Sequence, residues 1–173
     1  MRKTSPPRLH PAAMAPGELL KACAETRVKR SGPGGQHRNK VETAVILVHA
    51  PTGISAEASE RRSQAENRQV ALGRLRLKLA IEHRTPVNPA GPSALWRART
   101  RGRQLSISAG HDDYQALVAE ALDQLQATGF QVPVAAENLG VTATQLVRLF
   151  EKCPAAWAAM SRQRVQAGMR KLK

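Results

Sequence analysis

Disulfide chemistry has almost nothing to work with in this chain. Its 173 residues contain two cysteines, Cys23 and Cys153. Neither has metal-ligand spacing and neither needs a partner, so a reducing cytoplasm is the expected setting. Long apolar runs are missing as well. No stretch approaches the ~20 residues that a membrane-spanning helix requires, so no membrane partner is expected. The start, Met1-Arg2-Lys3-Thr4-Ser5-Pro6-Pro7, is basic but lacks the apolar core of a secretion signal. His10, His37, His49, His83 and His111 are scattered along the chain. They suggest no ligand cluster, so no metal site and no cofactor is expected.

Acidic residues are scarce. Against 27 Lys and Arg stand 13 Asp and Glu, for a formal net charge of +14. The imbalance is uneven: residues 1–103 hold 20 basic and 7 acidic side chains, residues 104–173 hold 7 and 6. Charge of this sign and asymmetry favours a polyanionic partner, with nucleic acid the default. A merely soluble basic protein is the plain alternative. An anionic membrane surface fits less well, because the basic residues do not gather on one amphipathic helix. With 42% hydrophobic residues the chain can bury a core, and its length suits one or two small domains.

The densest concentration of signals lies in Ser31-Gly32-Pro33-Gly34-Gly35-Gln36-His37-Arg38-Asn39-Lys40. Glycine reaches positive φ without steric cost. Three glycines split by one φ-locked proline predict a loop of defined and unusual backbone shape. Such a loop can aim backbone N–H groups at one point and pass where a Cβ would clash. Arg27, Lys29, Arg30, Arg38 and Lys40 surround it with positive charge.

Around the loop the pattern predicts a short helix from Pro16, a short strand at Thr26–Lys29 and a strand over Thr43–Val48. Pro51-Thr52-Gly53 reads as a hairpin connection to a return strand at Ile54–Ala58. Ser63-Gln64-Ala65-Glu66 is a capping box that opens a helix to about Ile81. Leu72, Leu75 and Leu79 form its core stripe, with Arg68, Arg74, Arg76 and Lys78 largely off it. Gly73 costs about 1 kcal/mol in mid-helix relative to Ala, and close packing on the sheet would explain it.

Three blocks, Arg30 to Val41, His49-x-Pro51-Thr52-Gly53-Ile54 and Arg62-Ser63-Gln64-x-x-Asn67, carry a resemblance. In order and spacing they resemble the catalytic GGQ domain of peptide chain release factors, found also in stand-alone peptidyl-tRNA hydrolases that rescue stalled ribosomes. The resemblance covers about Leu19 to Ile81. It implies an enzyme that hydrolyses the ester of peptidyl-tRNA in the peptidyl-transferase centre. Gly34, Gly35 and Gln36 would be catalytic. Arg30, His37, Arg38, Lys40, Arg62 and Arg68 would contact rRNA or tRNA, and Ser31, Gly32, Pro33 and Asn39 would support the loop. The partners implied are the large-subunit rRNA and the P-site peptidyl-tRNA. Arg38 departs from the family, which usually has a small apolar residue there. The chain also lacks the length and the codon-reading tripeptides of stop-codon factors. Codon-independent rescue is therefore the expectation, with stop-codon-linked release through a partner, or non-catalytic ribosome or RNA binding, as the alternatives.

Beyond His83, Pro86, Pro89, Gly91 and Pro92 predict a connector without regular structure. Arg97, Arg99, Arg101 and Arg103 alternate within it. In an extended chain they would share one side, to grip phosphates or simply to keep a linker solvated. From Asp112 the pattern turns helical. A helix ends at Thr128-Gly129, a second runs from about Val134 to Leu139, and Thr142-Ala143-Thr144-Gln145 caps a third. Ala155 to about Met169 forms the last. The middle pair resembles a helix-turn-helix unit. Residues 104–161 hold 2 basic and 6 acidic side chains, which opposes sequence-specific DNA binding through Thr144, Gln145 and Arg148. A small helical bundle, or a surface docking on RNA or ribosomal protein, fits better. The tail from Arg162 is basic.

The expected architecture is thus α+β. A disordered arm (1–16) precedes a GGQ domain of short sheet and packed helix (17–83). A basic connector (84–110) then leads to a helical, helix-turn-helix-like unit with a basic tail (111–173). The protein is expected to be a monomer.

Overall fold

The computed structural model describes residues 9–28 and 44–172. The chain is α+β and divides into two compact units, Met14–Leu79, and Met1–Ala13 with Ala80–Lys173.

The first unit opens on helix α1, Pro16–Lys21. Pro16 supplies the first helical position, Glu18 sits at the positive end of the dipole and Lys21 at the negative end. Leu19 is its buried anchor. Three antiparallel strands follow, β1 (Cys23–Val28), β2 (Ala44–His49) and β3 (Ser55–Ala58), in spatial order β1-β2-β3. Their register pairs Cys23 with His49 at one end of β1–β2 and Val28 with Ala44 at the other. Val45 and Leu47 of the central strand and Ala56 and Ala58 of β3 are buried. The β2–β3 turn closes on the His49 carbonyl, which accepts from Thr52 N at 3.2 Å and Gly53 N at 2.8 Å. Gly53 takes φ +71°, a conformation that an L side chain would strain.

Helix α2 runs from Gln64 to Glu82. Ser63 Oγ accepts from Glu66 N at 3.4 Å, the capping contact that the sequence predicts. Ala71, Leu72, Leu75 and Leu79 form its buried stripe. The helix is pinned along β3 by long cations: Arg74 donates to Glu57 O and Lys78 to Ser55 O, each at 2.8 Å. Two expectations need correction here. Arg76, placed off the stripe with its neighbours, is buried, the i+4 partner of Leu72 on the same side of the helix. Gly73 has open space where a Cβ would stand, so close packing does not explain it.

In the second unit, residues expected to be an arm and a connector carry regular structure. Pro11–Ala13 form a 3-10 turn with Ala12 buried. His10 is buried as well: its Nδ1 accepts from Ala12 N at 3.0 Å and its Nε2 lies 3.1 Å from His83 O. The span expected as connector contains helix α3 (Ala94–Arg99) and a two-stranded hairpin, β4 (Thr100–Arg101) and β5 (Gln104–Leu105). Ser93 caps α3 by accepting from Trp96 N. Trp96 is fully buried and donates from Nε1 to Leu139 O at 2.8 Å. Arg97 and Arg99 therefore lie on a helix and Arg101 on a strand, with Arg103 in the turn that follows. They do not form one extended row.

Four helices complete the unit, α4 (Tyr114–Ala127), α5 (Val132–Asn138), α6 (Ala143–Glu151) and α7 (Pro154–Gln166). Thr142 caps α6, its side chain accepting from Gln145 N at 3.2 Å. Gln145 does not reach back to complete the box. Its Oε1 accepts instead from Leu105 N at 3.3 Å, tying α6 to β5. Tyr114 donates its hydroxyl to Leu149 O at 2.7 Å, and burial raises its pKa. Buried Leu117, Leu122, Leu125, Leu146, Leu149 and Phe150 fill the core between these helices. Arg84 and Asp123 form a largely buried ion pair at 3.0 Å, and desolvation lowers the pKa of Arg84.

Candidate nucleic-acid interface

Lys29 to Thr43 lie outside the described residues. That span includes Arg30, Ser31, Gly32, Pro33, Gly34, Gly35, Gln36, His37, Arg38, Asn39 and Lys40. What is described is the platform on either side of them. The chain leaves β1 at Val28 and returns at Ala44, and these two residues are directly paired.

Arg62 and Arg68 are the two predicted contact residues that the structure describes. Both are exposed. Arg68 lies on α2 and its Nε stands 2.7 Å from Glu25 Oε2 on β1. The other oxygen of Glu25 is 3.3 Å from Arg27 Nε. One carboxylate thus holds two guanidinium groups on the edge of the sheet. With Gln64 and Ala65 they line an open recess of about 650 Å³. Forked side chains held this way keep N–H groups free for a phosphate, because a guanidinium carries five donors. Sequence reasoning missed Glu25. The signal was an acid in an otherwise basic neighbourhood, two residues before Arg27.

Arg62 is placed by a residue that the motif contains but whose role the sequence did not reveal. Asn67 is fully buried in α2. Its Oδ1 accepts from Arg61 N at 2.9 Å and its Nδ2 donates to Arg61 O at 3.0 Å. The amide therefore acts as a substitute peptide group and fixes the bend that carries Arg61 and Arg62. The adjoining Glu60 is held by Arg74 at 2.5 Å, and hydrogen bonds from backbone N–H groups lower its pKa. The second block has an equally local job. His49 is buried, Nδ1 lies 2.8 Å from Thr52 Oγ1, and Thr52 Oγ1 also accepts from Ile54 N at 3.3 Å. Two of the three motif blocks thus build the frame.

Cys23 and Cys153 are free thiols. Burial pushes the Cys23 thiol up. Among the described residues no group of His, Cys, Asp and Glu is arranged to hold a metal, and no helix is long and apolar enough to cross a membrane.

Comparison with known proteins agrees with this frame. The RF-1 domain model matches residues 21–106, reaching past the three motif blocks. The chain is 47% identical over 55 residues to the mouse mitochondrial protein "Peptide chain release factor 1-like", which covers 32% of this chain and 15% of that one. It is 42% identical over 82 residues to peptide chain release factor 2 of Lactiplantibacillus plantarum, or 47% of this chain and 20% of the relative. With peptide chain release factor 2 of Acidovorax the identity is 53% over 51 residues, 30% of this chain and 14% of the other. The molecule is a release factor-like GGQ-domain protein. It spans a fifth or less of the length of these curated relatives.

Proposed function

We propose that the protein hydrolyses the ester between nascent peptide and tRNA on the ribosome, independently of the codon, and so releases stalled ribosomes. The observation that carries this reading is the RF-1 match over residues 21–106, which encloses an intact Gly34-Gly35-Gln36. The surroundings suit the chemistry. Water attacks a carbonyl, and negative charge grows on its oxygen. A preorganised N–H aimed at that oxygen is worth roughly 3–4 kcal/mol. The backbone N–H of Gln36 takes that role, and its side-chain amide bounds the space that holds the water. Gly34 and Gly35 give the backbone its shape and access. Arg30, His37, Arg38 and Lys40 meet rRNA or the tRNA acceptor end, while Ser31, Gly32, Pro33 and Asn39 brace the turn. Arg62 and Arg68 extend the cationic face onto the described frame. No side chain need act as general base when RNA groups share the site.

Domain roles follow from the same reading: the GGQ unit does the chemistry and the helical unit docks. Peptide release from ribosomes programmed with three messages tests it, using wild type and Gly35→Ala. The messages end at the P site, present a stop codon, or continue with sense codons. Release on the truncated message, abolished in Gly35→Ala with ribosome binding retained, is the expected result. Release confined to the stop codon would overturn codon independence. Full release by Gly35→Ala would sink the chemistry.

A further inference from the structure

The second unit holds an apolar pocket that no part of the release reaction uses. Its volume is about 330 Å³, within the ~300–1,000 Å³ span of ordinary ligand sites. Every wall comes from this one unit: the turn at residues 9–13, the segment 85–95, one face of α4, and Leu139. Leu9, Val87, Leu95, Ala116 and Leu139 supply apolar surface. Leu9 is 63% exposed and Val87 37%, two of the four large apolar side chains that stand out from the described surface. Single exposed apolar residues need no explanation, but a pair on the rim of an apolar cavity marks an interaction surface.

The charge in the pocket runs against that of the molecule. No lysine or arginine lines it, in a chain of net charge +14. Its two carboxylates are Asp123 and Glu120. Asp123 is neutralised by Arg84 at 3.0 Å. Glu120 is held by Ser93, which donates from N to Oε1 at 2.7 Å and from Oγ to Oε2 at 2.6 Å. These bonds fix the carboxylate without cancelling its charge, and each oxygen keeps a lone pair. Among the described residues the other carboxylates that are not exposed, Glu25, Asp113 and Asp123, each pair with an arginine. Glu120 is the exception, half-buried with no ion pair among them. Burial lowers the pKa of His10, the remaining titratable side chain of the lining, so it adds no positive charge near neutral pH.

We propose that this pocket docks a basic, extended peptide segment of a partner protein, with an aliphatic side chain in the cavity and a neighbouring lysine or arginine on Glu120. A nucleic-acid backbone would meet a fixed anion here and no cation to balance it. Gln124, on the same wall, makes no side-chain hydrogen bond among the described residues, so its amide can meet a peptide group as donor and acceptor at once. The inference goes beyond the release reaction and does not rest on it.

The test uses the full chain, isotope-labelled, and the peptide acetyl-Gly-Leu-Lys-Leu-Lys-Gly-amide. Amide resonances of residues 85–95 and 116–124 should move on titration, whatever happens at the GGQ unit. Glu120→Gln keeps the size of the side chain and removes its charge, and should weaken binding roughly tenfold through the loss of one charge-assisted contact. Leu9→Ser changes an exposed rim residue and should weaken binding several-fold. The same peptide with glutamate in place of lysine should not bind. Resonances that stay unmoved at the highest soluble peptide concentration would overturn the proposal. Equal binding of the glutamate peptide, or unchanged affinity in either folded variant, would overturn it too. Two further probes separate other occupants. Hexylamine binding as tightly as the peptide would make this a small-molecule site, and a short single-stranded RNA moving the same resonances would make it a nucleic-acid site; either result refutes peptide docking.

Discussion

Replacing Asn67 by Ala would test the view that the third motif block is a mechanical part. The side chain is fully buried and makes hydrogen bonds to both the N–H and the carbonyl of Arg61. Truncation removes two bonds and leaves the Arg61 N–H and carbonyl without this partner. Each intact bond is worth about 1 kcal/mol net, so a loss of about 2 kcal/mol is expected. That is a large share of the ~5–15 kcal/mol by which a domain is held folded. Two assays separate the local from the global effect. Denaturant unfolding gives the total. Hydrogen exchange at the Arg61 amide reads the clamp itself, which should open far faster in the variant. Asn67→Asp keeps one acceptor, but sets a second oxygen against Arg61 O and buries a charge. It should be at least as damaging as Ala. A stability change below about 0.5 kcal/mol for Asn67→Ala, the range of an ordinary surface substitution, would refute the reasoning.

Other consequences can be checked as directly. Trp96→Phe keeps the packing of a fully buried ring but removes the bond to Leu139 O, and should cost about 1–3 kcal/mol in denaturant unfolding. Glu25→Gln should loosen the hold on Arg27 and Arg68 and lower ribosome affinity while leaving thermal stability nearly unchanged, because exposed ion pairs contribute about 0–1 kcal/mol. Burial lowers the pKa of His10 below its ordinary 6.5, with the neighbouring Arg84 and His83 adding to the effect and Asp123 and the His83 carbonyl opposing it. The unfolded chain then binds a proton that the folded one refuses. Stability should fall as pH drops below about 6.5 and level off below the folded pKa. His10→Gln should flatten that segment of the melting-temperature profile.

The sheet and α2 were legible because their signals are dense. An apolar β-branched run, a proline-glycine turn and a capped leucine stripe each occupy consecutive positions, and all agree. The helices from Tyr114 onward were legible for the same reason, their ends marked by Gly129, Gly140 and Pro154. The span 84–110 was not. Its prolines and glycines dominate any window, while its structural content is a six-residue helix and a hairpin of two-residue strands. Its anchor is one tryptophan whose partner, Leu139, lies 43 positions away. Periodicity cannot reveal a pairing of that kind. Residues 9–13 escaped similarly, since His10 and Ala12 are held by His83 and by the turn itself, not by a repeating apolar face. Within the candidate site the residue types that suit RNA were evident from charge. The carboxylate that organises two of them was not, because only the pairing of strand and helix brings Glu25 to Arg68.

The pairing of Val28 with Ala44 sets a length scale. Gln36 is the midpoint of the chain between them, eight residues from either side. Two strand ends fixed side by side turn that count into a tether of equal arms, with a fully extended limit of about 26–29 Å from the sheet. Any position nearer to either strand would have a shorter leash. The sequence thus puts Gln36, the residue to which the proposed chemistry is assigned, at the one point of the span with the greatest possible reach. A residue inserted on one side alone would shift the midpoint away from the glutamine without lengthening the shorter arm.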